Sequence, residues 1–240
     1  MVFFLGRKED PRLQRLMLGF AAGVMIASSV WSLLIPAIQS AQELGIPGWM
    51  PAAGGSVCGI VFLMAMDRLL PHLTREYLQQ DSLSSSRRRT CLLASAVTLH
   101  NIPEGMAVGI SFALAAQNDP ATLPSAIALA FGVGIQNFPE GAAIALPLHQ
   151  EGMSRRKAFS VGALSGIVEP IAGILTVMIA GSIRWLLPWL LSFAAGAMLY
   201  VVVEELIPEA NLRHDHRTHS GTLGVMAGFL MMMILDVALG

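Results

Sequence analysis

Long apolar stretches alternate with short polar segments along almost the whole chain. Each stretch has roughly 20 to 25 residues, which is the length that a helix needs to cross about 30 Å of hydrocarbon. The pattern therefore predicts an all-α polytopic membrane helix bundle with seven transmembrane helices. The predicted spans cover residues 16–38, 48–70, 91–116, 123–147, 158–182, 185–208 and 220–239.

The lysines and arginines predict how these spans are oriented. If the seven spans alternate in direction, all the basic residues except Arg184 lie on the same side of the membrane. Basic residues accumulate in cytoplasmic loops, so we expect a cytoplasmic amino terminus and an external carboxyl terminus in a multi-pass protein of the inner (plasma) membrane. The same assignment makes residues 71–90 a cytoplasmic polar loop and residues 209–219 a short cytoplasmic loop with histidines.

Composition supports a membrane setting and excludes several other classes. Hydrophobic residues make up 54% of the chain and charged residues 13%, and the mean hydropathy is +0.62, so the lipid bilayer is the expected surrounding. With a net charge of -1, the chain lacks the basic surface that binding to nucleic acid requires. Cys58 and Cys91 have no metal-site spacing, and we expect no disulfide framework.

Two copies of one polar hexapeptide interrupt consecutive apolar stretches. The first copy, residues 100–105, is His-Asn-Ile-Pro-Glu-Gly, and the second, residues 136–141, is Gln-Asn-Phe-Pro-Glu-Gly. A carboxylate, an amide or an imidazole is costly in hydrocarbon, so these residue types at membrane depth indicate a functional site. Their chemistry indicates that the site binds a cation.

The spacing within each copy places two side chains together. Residues four apart lie on the same face of a helix, so His100 pairs with Glu104 and Gln136 pairs with Glu140. The two spans are consecutive and antiparallel, and their glutamates would meet as like charges, which demands a shared proton or a divalent ion. Glu169 in the fifth span is a third carboxylate that can serve as a ligand.

A second ion position is predicted beside the first. Asn101 and Asn137 lie one residue further round each helix and point to an adjacent position. One imidazole with several carboxylates and amides makes an oxygen-rich site. Such a ligand set suits zinc, iron(II), manganese or cadmium better than copper(I).

With these residues identified, the chain resembles the ZIP family of divalent metal transporters, most of all the bacterial branch whose second motif begins with glutamine. The likeness covers nearly the whole chain and rests on the two hexapeptides, Glu169-Pro170, and residues 17–23, 203–209 and 226–229. It implies that residues 1–240 form a single ZIP-type transmembrane domain and not an enzyme. The implied function is uptake of divalent metal ions into the cytoplasm by alternating access, with zinc as the first candidate substrate.

The resemblance also implies a binuclear metal centre midway along the transport path. Close relatives carry an aspartate where this chain has Asn137, so the second position has one negative charge fewer here. By analogy with the family, the first ion would be held by His100, Glu104, Gln136 and Glu140, and the second by Asn101, Asn137 and Glu169 together with the two glutamates.

The family pattern further implies eight spans with both termini outside. The first predicted span here corresponds to the second span of that pattern, so we expect the first family helix to be absent from this chain. In the family, that helix is thought to move with the metal-bearing helices against a fixed scaffold. A non-transporting metal-binding or regulatory membrane protein is therefore an alternative function.

Several further residues have two interpretations. Glu204 and Glu205, near the cytoplasmic end of the sixth span, either relay ions along an exit path or face solvent. His214 and His216 either collect metal ions or belong to a solvated loop. Small residues on several spans provide close helix packing or a homodimer surface. An intramembrane zinc hydrolase is disfavoured, because no His-Glu-x-x-His motif and no nucleophile beside a base are present.

Overall fold

A computed structural model describes residues 11–79, 85–117, 123–150, 152–180, 184–211 and 219–239. The described residues form helices and no strand, which confirms the all-α prediction. The α-helices are α1 (Pro11–Ser28), α2 (Ile35–Glu43), α3 (Trp49–Gln79), α4 (Ser85–Gln117), α5 (Leu123–Gln150), α6 (Arg155–Ser165), α7 (Val168–Ala180), α8 (Leu187–Val201), α9 (Ile207–Asn211) and α10 (Ser220–Leu239).

Seven helical stretches match the seven predicted spans, although three of them are not uniform α-helices. A π-helical segment, Ser29–Leu34, joins α1 to α2, and a second one, Val202–Leu206, joins α8 to α9. The fifth stretch is divided by a turn, because α6 ends at Ser165 and α7 begins at Val168. A short 3-10 helix, Arg184–Leu186, precedes α8.

Five described stretches are long and apolar enough to cross a membrane by length and composition, which supports the polytopic prediction. The polar residues of the hexapeptides lower the hydropathy of α4 and α5, and these two helices are not among the five. The five stretches are Arg12–Glu43, Trp49–Leu69, Arg155–Met178, Leu187–Ala210 and Ser220–Ala238.

Helical structure extends into the two segments predicted as loops. Helix α3 continues to Gln79 and α4 begins at Ser85, so most of residues 71–90 is helical. Polar side chains mark where a helix leaves hydrocarbon, but they do not end it, because lysine, arginine, glutamate and glutamine are good helix formers. In the second segment, α9 reaches Asn211 and α10 begins at Ser220, while residues 212–218 lie outside the described part.

The helices associate in four closely packed pairs, which are α1 with α10, α3 with α8, α4 with α7, and α5 with α6. Glycines allow the backbones to approach, as small residues do in membrane helix packing. A Cβ at Gly23 would overlap the carbonyl oxygen of Val225, and one at Gly59 would overlap that of Phe193. Helix α5 also packs on α1, and α4 packs on α8, so the pairs form one bundle around a buried apolar core.

The two π-helical segments both carry polar side chains that contact another helix. The backbone N–H of Ile35 donates to the carbonyl of Val30, and that of Ile207 donates to the carbonyl of Val202, five residues earlier in each case. In the first segment, Ser32 Oγ donates to Asp236 Oδ1 of α10 at 2.6 Å. The Glu205 carboxylate of the second segment faces α4. Such bulges are frequent at functional sites.

Candidate metal centre

The hexapeptides place their polar side chains inside the bundle. His100 and Glu104 on α4 are buried, with Glu104 only 1% exposed, and Gln136 and Glu140 on α5 are buried as well. Asn101 is also buried. Each helix therefore presents an inward polar face one turn long, on the spacing of four that the sequence indicates.

Many of these buried polar atoms make no hydrogen bond to any residue that the structure describes. A buried acceptor or donor without a partner costs roughly 1 to 3 kcal/mol, and a charged group costs more. The arrangement is therefore suited to a ligand that satisfies several oxygens at once, such as a cation. The atoms are Glu104 Oε2, Gln136 Oε1 and Nε2, Asn137 Oδ1, Glu140 Oε2 and Glu169 Oε1.

Glu169 reaches this group because of how α7 begins. The turn after Ser165 places Glu169 in the first turn of α7, where its carboxylate accepts a hydrogen bond from Asn137 Nδ2 of α5. Helix α7 approaches α4 closely at Gly105, where an added Cβ would overlap the backbone carbonyl of Glu169. On the other side of the turn, the Ser165 carbonyl accepts from Asn101 Nδ2 at 3.2 Å.

Three carboxylates act on one another in this interior. The negative charges of Glu140 and Glu169 both act on Glu104. Like charges in a low-dielectric interior repel strongly unless a proton or a cation lies between them. The electrostatics therefore favour a divalent cation at this place.

Two cavities border the group. One of about 480 Å³ lies between α5 and α6 and is lined by Asn101, Asn137 and Glu140 among others. The other, of about 520 Å³, lies between α4, α5 and α7 and reaches Glu169. Asn137 lines both cavities, and its side chain is only half-buried.

His100 faces a different set of partners in this structure. Its Nε2 lies 3.2 Å from Asp67 Oδ1 of α3, and its Nδ1 lies 3.2 Å from Glu205 Oε2 of the second π-helical segment. One ligand atom from each of these residues lies within 4.8 Å of the other two. In the part of the chain that the structure describes, this is the one group of three or more histidine, cysteine or acidic residues that meets so closely.

Asp67 is a site residue that the sequence reasoning missed. It lies near the end of an apolar stretch beside Arg68, where an acidic residue commonly marks the membrane boundary. Its signal in the sequence is its place inside a predicted span, because an ionisable residue there is by default a functional candidate. The second carboxylate oxygen of Asp67 accepts a hydrogen bond from Tyr200 Oη at 2.8 Å.

The residues considered for an exit path separate into three cases. Glu205 is half-buried and contacts His100, whereas its neighbour Glu204 is exposed. His214 and His216 lie outside the described residues. The two glutamates thus occupy distinct positions, and a role of either one in an exit path stays a prediction.

Comparison with known proteins gives consistent matches. The family model described as ZIP zinc transporter matches residues 76–236. The chain is 39% identical to zinc transporter ZIPB of Bordetella bronchiseptica, over 98% of this chain and 74% of the relative. It is 38% identical to zinc transporter ZIP11 of Xenopus tropicalis, over 93% and 87% of the two chains. Zinc transporter ZupT of Escherichia coli is 32% identical, over 98% and 91%.

Proposed function

The chain belongs to the ZIP family of zinc transporters, and we propose that it moves zinc ions across a membrane through the polar group on α4, α5 and α7. Members of this family are transporters and not enzymes, so the alternative of an intramembrane hydrolase is set aside. The observation that carries the proposal is a set of buried side-chain atoms that have no hydrogen-bond partner among the described residues. They belong to Glu104, Gln136, Asn137, Glu140 and Glu169 on these three helices.

Two adjacent ion positions are the form of the site that we propose. Glu104 and Glu140 bridge both ions, Gln136 and His100 complete the first position, and Asn101, Asn137 and Glu169 complete the second. The mutual influence of the three carboxylates supports this arrangement, because a divalent cation removes their repulsion. Zinc is the proposed substrate, and iron(II), manganese and cadmium are proposed to compete for the same oxygens.

Release into the cytoplasm is proposed to pass through Asp67, His100 and Glu205. His100 lies one turn from Glu104 on α4 and also contacts Asp67 and Glu205. Its side chain is therefore within reach of both the polar group around Glu104 and the carboxylates of Asp67 and Glu205. The distribution of basic residues supports a cytoplasmic amino terminus and inward transport. Metal transfer along this path requires deprotonated ligands, so protons compete with zinc at each position.

Zinc uptake into proteoliposomes tests the proposal. We expect saturable uptake by the full chain and its loss in Glu104→Gln, which removes one negative charge and leaves the side-chain size unchanged. Glu43→Gln is the matched control, because Glu43 is exposed at the end of α2, and it should transport at the normal rate.

Two outcomes would contradict the proposal in different ways. Normal uptake by Glu104→Gln would exclude the central site. Saturable zinc binding by the purified chain without any flux would instead support the non-transporting metal-binding protein. The direction of transport is tested separately in cells that express the chain, which should accumulate zinc relative to cells that express Glu104→Gln.

A further inference from the structure

Tyr200 is hydrogen-bonded to one of the two carboxylate oxygens of Asp67. Its hydroxyl donates to Asp67 Oδ2 at 2.8 Å, while Asp67 Oδ1 lies 3.2 Å from His100 Nε2. The carboxylate is thereby held between α8 and α4 with a fixed orientation. Only one of its oxygens remains directed toward the imidazole.

The π-helical segment Val202–Leu206 begins just after Tyr200, which lies at the end of α8, and it carries Glu205. In this segment the Ile207 N–H donates to the Val202 carbonyl, five residues earlier, so a turn holds one residue more than an α-helical turn. Tyr200 and Glu205 differ by five positions, and both lie within reach of the Asp67 and His100 pair. A regular α-helix would place them on different faces.

The number of oxygens that Asp67 offers bears on which metal fits. Zinc favours four ligands in a tetrahedral arrangement, with nitrogen and carboxylate oxygen among them. Manganese favours six oxygen ligands, and larger hard cations use bidentate carboxylates. A carboxylate that is restricted to one oxygen, together with one imidazole and Glu205, keeps the ligand number low.

We propose that Tyr200 is a positioning residue for metal selectivity, which holds Asp67 as a single-oxygen ligand and so favours zinc over manganese. This inference rests on the proposed function, because it assumes that the transported ion meets Asp67, His100 and Glu205. Tyr200 acts through Asp67 and does not itself contact the ion. Its removal should therefore change the preference between metals more than the total capacity.

The test compares Tyr200→Phe with Ser192→Ala. The first removes only a hydroxyl, and the second removes a hydroxyl of the same helix that donates to the Pro188 carbonyl away from Asp67. Competition between Zn²⁺ and Mn²⁺ is measured in uptake assays with each full-length variant. Equilibrium binding of the two ions is measured in the Glu104→Gln/Glu140→Gln/Glu169→Gln background, where the central carboxylates no longer contribute.

We expect Tyr200→Phe to raise manganese severalfold relative to zinc in both assays, and Ser192→Ala to leave the ratio unchanged. In chains that carry Asp67→Asn, adding Tyr200→Phe should not change the ratio of manganese to zinc any further, because Tyr200 acts only through Asp67.

Three results would overturn the inference. These are an unchanged metal ratio in Tyr200→Phe, an equal loss of affinity for both metals, and no metal binding in the background that lacks the central carboxylates. An equal loss would make Tyr200 a ligand or a purely structural residue. Absence of flux in the unmodified chain would contradict the proposed function instead, while the binding ratio would still decide the role of Tyr200.

Discussion

Asn137 is an amide at a position where the resemblance to the family leads us to expect an aspartate. Its Nδ2 donates to Glu169, its Oδ1 has no hydrogen-bond partner among the described residues, and it borders both cavities. An amide at this position supplies a donor to one carboxylate and a neutral oxygen to an ion. Compared with an aspartate, it would lower the negative charge of the proposed second ion position.

We expect Asn137→Asp to bind zinc more tightly and to transport it more slowly. The added carboxylate faces Glu169 without the former hydrogen bond, and a divalent ion between them relieves the repulsion. A tenfold gain in affinity corresponds to about 1.4 kcal/mol. Zinc titration of the purified chain and uptake rates at saturating zinc measure the two effects.

The control for this substitution adds the same charge elsewhere. Gln42→Glu lies on an exposed position of α2 and should change neither binding nor rate. Weaker zinc binding by Asn137→Asp would contradict a role of this position in holding an ion.

Much of the candidate site could be predicted from single residues, because a polar group in an apolar helix is costly unless it binds a ligand or another polar group. His100, Asn101, Glu104, Gln136, Glu140 and Glu169 were predicted on this basis, and all six are buried. Their assignment to particular ions stays a prediction. The contact of His100 with Asp67 and Glu205 could not be predicted, because it joins three helical stretches that are far apart in sequence.

At the level of helices, the close approach of α4 and α7 fixes where Glu169 lies. A Cβ at Gly105 would overlap the Glu169 carbonyl, and one at Gly109 would overlap that of Gly173. These contacts involve backbone atoms, which cannot turn aside as a flexible side chain can. The separation of the two helices therefore depends on the glycines.

We expect Gly105→Ala to abolish zinc uptake and to destabilise the fold by about 1 to 3 kcal/mol, the usual cost of overpacking. The added methyl group pushes α7 away and carries Glu169 out of reach of the other ligands. Uptake and thermal unfolding of the purified variant measure these effects.

Gly134→Ala is the matched control in the neighbouring helix. Apart from the adjoining backbone of α5, no described atom lies within 4 Å of a Cβ at that position, although Gly134 borders both cavities. It should transport zinc normally and unfold at an unchanged temperature. Equal behaviour of the two variants would show that the spacing of α4 and α7 does not determine the site.

The positions of the helices were predictable from hydropathy, but their internal form was not. Hydropathy reports how long a segment stays in an apolar surrounding, and seven stretches followed from it. It does not report the hydrogen-bond pattern, so the π-helical segments at Ser29–Leu34 and Val202–Leu206 were not expected. The break between α6 and α7 has a local signal in Gly166 and Pro170, but the spans were delimited by apolar length alone.

Considered as a whole, the bundle has two kinds of contact between its helices. Within the pairs α3 with α8 and α4 with α7, backbones touch through glycines. Helices α1 and α5 also pack together, and there a Cβ at Gly132 would lie 3.4 Å from the Val24 side chain. If the metal-bearing helices move against the rest, as the family resemblance implies, we expect the movement between α1 and α5.

We expect a disulfide between Val24→Cys and Gly132→Cys to block zinc uptake, because it ties α1 to the metal-bearing α5. A Cβ at Gly132 would lie 3.4 Å from Val24 Cγ1 but would also overlap Met232 Sδ of α10, so the flexible Met232 side chain must shift before the two positions come near the range that a disulfide spans. Cys58 and Cys91 are first replaced by serine. Uptake is measured before and after reduction, and reduction should restore it.

A disulfide within one pair is the control. Ser56→Cys with Ser192→Cys joins α3 to α8, where Ser56 Oγ donates to the Ser192 carbonyl, and it should leave uptake intact. Undiminished uptake with the first disulfide formed would exclude movement between α1 and α5.

The π-helical segment Val202–Leu206 has a consequence for how such a chain changes over generations. A π-turn holds one residue more than an α-turn, so deleting one residue there restores a regular helix without breaking it. Each residue of an α-helix accounts for about 100° of rotation, so the deletion would turn Glu205 relative to Tyr200. The insertion or deletion of one codon is thus sufficient to bring the Glu205 carboxylate to His100 or to turn it away, with the rest of the bundle unchanged.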